Sequence, residues 1–194
     1  MATRITPYRS DEVPPYKYQQ INNFDSYIRV IDLRPSIRLE DELTCSFRLV
    51  KCVGLFGTLD YEALSYTWGS SDTVDFIRIV DGQQVLGRLP VARNLDQALR
   101  HLRHRRKCRS LWVDALCINQ SDDEEKRSQI LHMSWIYRLA SRTVIWLGTG
   151  SSDVEEGLKW AARVGRGWSH NKLSLGRMHR AYVEKMMMRS GKHI

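Results

Sequence analysis

What the sequence has little of narrows it first. Cysteine occurs only at Cys45, Cys52, Cys108 and Cys117. No two of them form a C-x-x-C pair and no histidines gather beside them, so no zinc or other metal site is expected. Their sparse, irregular spacing suits a reducing compartment. No apolar run approaches the roughly 20 residues a membrane helix needs. The first residues lack the basic-then-apolar pattern of a secretory signal. These absences lead to the expectation of a soluble, cytoplasmic protein without membrane contact. There is no internal repeat and no low-complexity tract. Acidic charge is in deficit, with 30 Lys and Arg against 22 Asp and Glu, a net charge of +8. That balance is compatible with nucleic acid, but net charge specifies neither fold nor site, and a solvated basic surface is the plainer reading. Hydrophobic residues make up 42% of the 194-residue chain, enough for a packed interior in one domain.

What is there centres on Arg109 to Gly148. Ser110-Leu-Trp-Val-Asp114 reads as a buried strand, Ala115 to Gln120 as a polar loop, and Thr143-Val-Ile-Trp-Leu-Gly148 as a second buried strand. The stretch between them is an amphipathic helix starting at Ser121 or Asp122, with Ile130, Met133, Ile136, Tyr137 and Ala140 on its buried face. Strand, helix and strand in this order make a βαβ crossover. Ligands of open parallel sheets sit beyond the carboxyl ends of the strands, where Asp114, Asn119, Gln120 and Gly148 fall.

Upstream, Met1 to about Phe24 is an irregular leader with Pro7, Pro14 and Pro15. Ile28 to Leu33 and Leu43 to Val50 read as strands that pair antiparallel. Tyr61 to Tyr66 is a strand with a sharp exit at Gly69. Phe76–Val80 and Val85–Leu86 flank Asp81-Gly82, the signature of a hairpin, and Pro90 ends that excursion. Asn94 caps a helix, with Gln97 completing a capping box and Leu95, Leu99 and Leu102 forming its apolar stripe. Arg100, Arg103, Arg105, Arg106, Lys107 and Arg109 crowd its end. They suit a helix C-terminus and a solvated loop better than a phosphate-binding patch. Beyond Gly148, Asp153 to Val164 and Arg177 to Arg189 read as further helices.

Two blocks are specific together. Tyr61-Glu-Ala-Leu-Ser-Tyr-Thr-Trp-Gly69 and Leu111-Trp-Val-Asp-Ala-Leu-Cys-Ile-Asn-Gln-Ser-Asp122 resemble the fungal heterokaryon incompatibility (HET) domain. The second block continues in that pattern through Glu125-Lys126, Gln129, Met133, Ile136-Tyr137, Ala140, Val144 and Trp146-Leu-Gly148. The resemblance covers roughly Ile28 to Gly148. It implies an effector or signalling module of fungal nonself recognition and programmed cell death. Its partner would be a protein, either another incompatibility factor or a second copy of the chain. The family is also distantly similar to the Toll/interleukin-1 receptor (TIR) fold, in which some domains assemble and others cleave NAD with a catalytic glutamate. Members usually continue well past this domain, so residues 151–194 read as a basic helical tail, a shortened extension of the domain at 25–150.

The expected fold is therefore α/β: a largely parallel, TIR-like central sheet flanked by helices, with an antiparallel hairpin added near Phe76 to Leu86. Ser65, Tyr66, Trp68, Gly69, Asp114, Asn119 and Gln120 are the candidate ligand-binding residues. Asp114 either orients a ligand hydroxyl or bonds its own turn. Trp68 either stacks on a ring or plugs the core edge. Asn119 and Gln120 fit loop tethers better than substrate readers. Ser65 and Tyr66 have no partnered histidine, which removes a nucleophile triad. Glu125 either supports the helix start or, in a reading borrowed from TIR enzymes, is the catalytic acid of an NAD-cleaving nucleosidase. NAD would then be a substrate, and no cofactor is expected. Nucleic-acid binding through Arg100 to Arg109 is the weakest alternative. If the strands around Ser65, Val113 and Ile145 are parallel neighbours, Trp68, Asp114 and Gly148 share one edge.

Overall fold

The computed structural model of the protein describes residues 13–24, 26–52, 57–69 and 73–149. The start of the expected leader and the helices expected within 151–194 lie outside the described residues. Seven strands form one sheet: β1 (Tyr27–Leu33), β2 (Leu43–Lys51), β3 (Leu59–Tyr66), β4 (Thr73–Asp81), β5 (Gln84–Ala92), β6 (Arg109–Trp112) and β7 (Ala140–Trp146). Three helices accompany them: α1 (Arg93–Leu102), α2 (Asp114–Cys117) and α3 (Asp123–Leu139). The strands lie in the order β5-β4-β2-β1-β6-β3-β7. Among the described residues no helix is long and apolar enough to cross a membrane.

The sheet is mixed, which corrects the expectation of a largely parallel one. β1 runs antiparallel to both β2 and β6, and β4 antiparallel to β5. Parallel pairing is confined to β2 with β4, β3 with β6, and β3 with β7. The chain between Leu33 and Leu43 is shorter than the dozen or more residues a parallel crossover requires, so β1 and β2 form a local antiparallel pair. The apolar run in β1 reports something other than direction. Ile28, Val30, Ile31 and Leu33 are almost fully buried because β1 lies in the middle of the sheet, covered on both faces. Burial on both faces selects an apolar run whichever way a strand points.

β6, α3 and β7 do form a crossover, but it steps over β3, which lies between the two strands. β7 was expected to be buried, and it is an edge strand. Ser141, Arg142, Thr143 and Ile145 are exposed; Ala140 is buried at the start of the strand, and Val144 and Trp146 turn partly toward the core. The expected polar loop after β6 is the short helix α2, which buries Leu116 and Cys117. In α3 the buried stripe is Glu125, Gln129, Ile136 and Leu139, whereas Ile130 is exposed. Two polar residues thus occupy the core side of the first turns, which an apolar-periodicity reading passes over.

The N-terminus of α1 also differs. Arg93 is its first residue and Ala92 its N-cap, without a side-chain cap bond. Asn94 lies inside the helix and spends its amide elsewhere, as described below.

The hairpin forms where expected, with the turn at Gly82-Gln83 and Gly82 at φ 57°. Pro90 does not end it: β5 continues to Ala92, with Pro90 registered opposite Phe76. An edge strand tolerates a proline, since one side of its backbone has no ladder to complete. That outer side is partly covered by the leader. Tyr16 N–H donates to Arg88 O at 2.9 Å, and Arg88 N–H donates to Pro14 O at 2.9 Å. Tyr16 and Tyr18 then pack on each other and on Phe47 of β2.

Gly87 makes this approach feasible, because a Cβ there would lie 2.6 Å from Tyr16 Cα. Gly87→Ala is therefore expected to push the leader off β5 and to cost about 1–3 kcal/mol, as overpacking does. Urea unfolding together with limited proteolysis ahead of Asn22 measures this. An unchanged midpoint and unchanged cleavage would contradict the close packing.

Candidate functional site

β3, β6 and β7 are the parallel trio, with Ala63 registered on Trp112 and Thr143, and Tyr66 on Trp146. Their carboxyl ends therefore leave the sheet on the same side. Trp68 follows β3, Asp114 follows β6 and Gly148 follows β7, so all three emerge at one edge.

There Trp68 Nε1 donates to Asp114 Oδ2 at 2.9 Å. The other carboxylate oxygen accepts from the backbone N–H of Ala115 at 2.7 Å. The Tyr66 hydroxyl also hydrogen-bonds Asp114. Gln120 Nε2 donates to the Asp114 carbonyl at 3.1 Å and so ties the loop after α2 to its start. Gly69 sits at φ +68°, a left-handed conformation that glycine adopts without strain.

A second pair of bonds fastens the neighbouring exit. The Asn94 side chain in α1 donates to Thr67 O and accepts from Trp146 Nε1, the latter at 2.9 Å. The His101 ring lies 5.3 Å from the Trp146 ring. Ser65 stands one residue inside β3, registered with Ile145. The result is a clasped surface in which Trp68, 52% exposed, covers Asp114. Burial pushes the Asp114 carboxyl above its ordinary value of 3.8, against the Trp68, Ala115 and Tyr66 hydrogen bonds that pull it down. Burial first, and then the Asp114 charge, holds the Tyr66 hydroxyl protonated far above neutrality.

Glu125 belongs to a separate, interior centre. The Asp122 Oδ1 caps α3 by accepting from Glu124 and Glu125 N–H, at 3.1 and 3.0 Å. The Glu125 side chain turns inward to Arg29 of β1, with Oε1 2.7 Å from Nη1 and Oε2 3.3 Å from Nη2. Oε1 also accepts from Asn119 N–H at 2.8 Å. Arg29 donates further to Cys117 O at 2.8 Å and Gln19 O at 2.9 Å, and stacks over the Tyr18 ring. Arg29 and Glu125 are 2% and 1% exposed. Both carboxylate oxygens are therefore engaged and sealed from solvent, an arrangement suited to holding the fold rather than to attacking a substrate.

The structure thus brings Tyr66, Trp68, Asp114 and Gln120 into one cluster, with Gly69 beside it. Asn119 is drawn to Glu125 instead, and its side chain accepts from Ser121 N–H at 3.2 Å. Asn94, His101 and Trp146 were missed as members of this edge because each has an adequate local role in the sequence. Arg29 was missed too, although a lone arginine inside an apolar strand is a legible signal of a buried partner. The basic cluster divides. Arg100 bridges Asp96 and Asp75. Arg103 is buried and donates to the carbonyls of Arg38, Leu39, Asp41 and Glu42. Arg109 pairs with Glu62. Arg105, Arg106 and Lys107 are exposed. An open cleft of about 620 Å³ lies elsewhere on the sheet, lined by Asp32, Arg34, Ser46, Arg48, Asp60 and Ser110 among others, and holds none of the nominated residues.

The model of the heterokaryon incompatibility protein family matches residues 61–190. The chain is 34% identical over 160 residues to heterokaryon incompatibility protein 6, OR allele, of Neurospora crassa, a match covering 78% of this chain and 23% of that protein. It is 31% identical over 125 residues to the vegetative incompatibility protein HET-E-1 of Podospora anserina, covering 58% of this chain and 9% of that protein. The chain thus aligns with less than a quarter of either relative's length. No solved structure matches it.

Two expectations follow from this geometry. Glu125→Ala leaves Arg29 buried and unpaired, and is expected to cost about 3–5 kcal/mol in urea unfolding. The double variant Arg29→Met/Glu125→Leu should cost clearly less than the two single losses summed, and strict additivity would refute the coupling. For Asp114 the folded form holds its proton more tightly than the unfolded chain does. Its contribution is fully present below the ordinary value and is lost as pH rises through the raised one. Wild type should therefore gain stability relative to Asp114→Asn as pH falls from about 6 to about 4, and a flat difference would show an unshifted carboxyl.

Proposed function

The chain belongs to the heterokaryon incompatibility (HET) family, and from that premise we propose that it works as an effector or signalling module of fungal nonself recognition. In this reading it is coupled to programmed cell death and acts by contact with a protein partner. One observation carries the proposal. The two most specific sequence blocks, 61–69 and 111–122, are joined in space by the Trp68 to Asp114 hydrogen bond. The joint ends in an exposed indole on a base tied by Tyr66 and Gln120. A large aromatic side chain on a pre-ordered support is what protein interfaces use as an anchor. The names of both relatives speak of incompatibility, which supports the same role. Cytoplasmic placement is part of the proposal and rests on the sparse, irregular cysteines. The TIR-like element of the expected fold has support only from the parallel trio β6, β3 and β7.

Controlled expression in a filamentous fungal host tests the role. The wild-type chain is expected to arrest growth. Trp68→Ala should relieve the arrest while costing about 1 kcal/mol of stability through the lost hydrogen bond. Normal growth with abundant, folded wild-type protein would reject an autonomous effector.

A further inference from the structure

The two margins of the sheet are treated differently. At β5 the outer backbone is bonded to Pro14 and Tyr16 of the leader, and the strand carries Pro90. At the other margin, β7 pairs with β3 alone among the described residues. β7 also lacks the usual protections of an edge. It has no proline and no lysine, and the one register shift against β3 lies at its start, between Ala140 and Arg142, leaving Arg142 to Trp146 regular. Its single charge, Arg142, is paired with Glu62 of the same chain, with Nε 2.8 Å from Oε1, a carboxylate that Arg109 also uses. Thr143 and Ile145 are exposed on one face, Ile145 at 56%.

We propose that β7 is a self-association edge, pairing antiparallel with β7 of a second copy of this chain about a two-fold axis at Thr143. The inference names the partner for the interaction role argued above and rests on that reading for its biological meaning. The sequence of the strand selects this register. Centring on Thr143 matches all of Ala140 to Trp146 and sets Thr143 against its own counterpart. Ser141 then faces Ile145 of the second copy, so each exposed isoleucine gains a neighbour on the open face. Arg142 faces Val144, and no like charges oppose. Centring one residue earlier would set the two Arg142 guanidiniums against each other, which cross-strand pairing disfavours. A two-fold arrangement uses one patch twice and closes on itself, giving a dimer rather than a filament.

Sedimentation velocity of the purified full chain over a concentration series tests this, with Ile145→Lys as the charged-edge variant. A concentration-dependent dimer is expected, and Ile145→Lys should weaken it by about tenfold or more while leaving the unfolding midpoint unchanged at concentrations where both chains are monomeric, since Ile145 is exposed. Register is read in a Cys108→Ser background, which removes the exposed native thiol. There Thr143→Cys should form an intermolecular disulfide under oxidised glutathione, because opposed residues of an antiparallel pair lie about 4.5–5.5 Å apart at Cα, within disulfide reach. Ile145→Cys alone should not. A chain that is monomeric throughout overturns the proposal, as does a dimer that survives Ile145→Lys and gives no Thr143→Cys cross-link. If such a chain still arrests fungal growth, the effector reading stands and only the self-association edge falls.

Discussion

The ion pair between Arg29 and Glu125 is the constraint from which the rest of the described structure hangs. Burying two charges is expensive, and it is tolerated only when their remaining donors and acceptors are met. Here they are met by three further segments at once. Gln19 comes from the leader, Cys117 from the end of α2 and Asn119 from the loop before α3, while Glu125 itself belongs to the first turn of α3. Arg29 itself stands on the central strand. A single guanidinium therefore ties the leader and the end of α2 to the first turn of α3, whose start is capped by Asp122.

That anchoring reaches the surface through a short stretch of chain. Once Cys117 and Asn119 are held, α2 is fixed at its far end, and Asp114 at its near end is placed beneath Trp68. Asn94 performs the equivalent service for β3 and β7, linking Thr67 to Trp146 from the side of α1. The strand exits thus form a surface supported from two directions, and Trp68 is presented rather than absorbed. The same economy governs the basic residues. Arg100, Arg103 and Arg109 bind the Leu39 to Glu42 segment, Asp75, Asp96 and Glu62, so about half of a cluster suggestive of an anion site is internal scaffolding.

Much was legible in the sequence where the signal is local. Alternation from Leu43 to Phe47, Asp-Gly at the hairpin and Asp122 before an apolar-periodic stretch report geometry that spans a few residues, and each element forms there; the alternation expected to continue to Leu49 fails, since Leu49 is exposed and Val50 buried. The joining of Trp68 and Asp114 at one edge followed from reading three strands as parallel neighbours. Glu125 was placed correctly at the helix start, yet its partner Arg29 lies 96 residues away in sequence, and no periodicity connects them.

The sequence by itself determined the kinds of the longer elements, the hairpin, the cap of α3 and the family, because these depend on short-range sterics, capping and specific blocks. Only the tertiary structure decided strand direction, which margin of the sheet is covered, and whether a polar side chain faces water or a buried partner. Those outcomes depend on which distant segments meet. An apolar run records burial without recording what does the burying, and a glutamate at the start of a helix has the same local surroundings whether it turns outward to solvent or inward to an arginine.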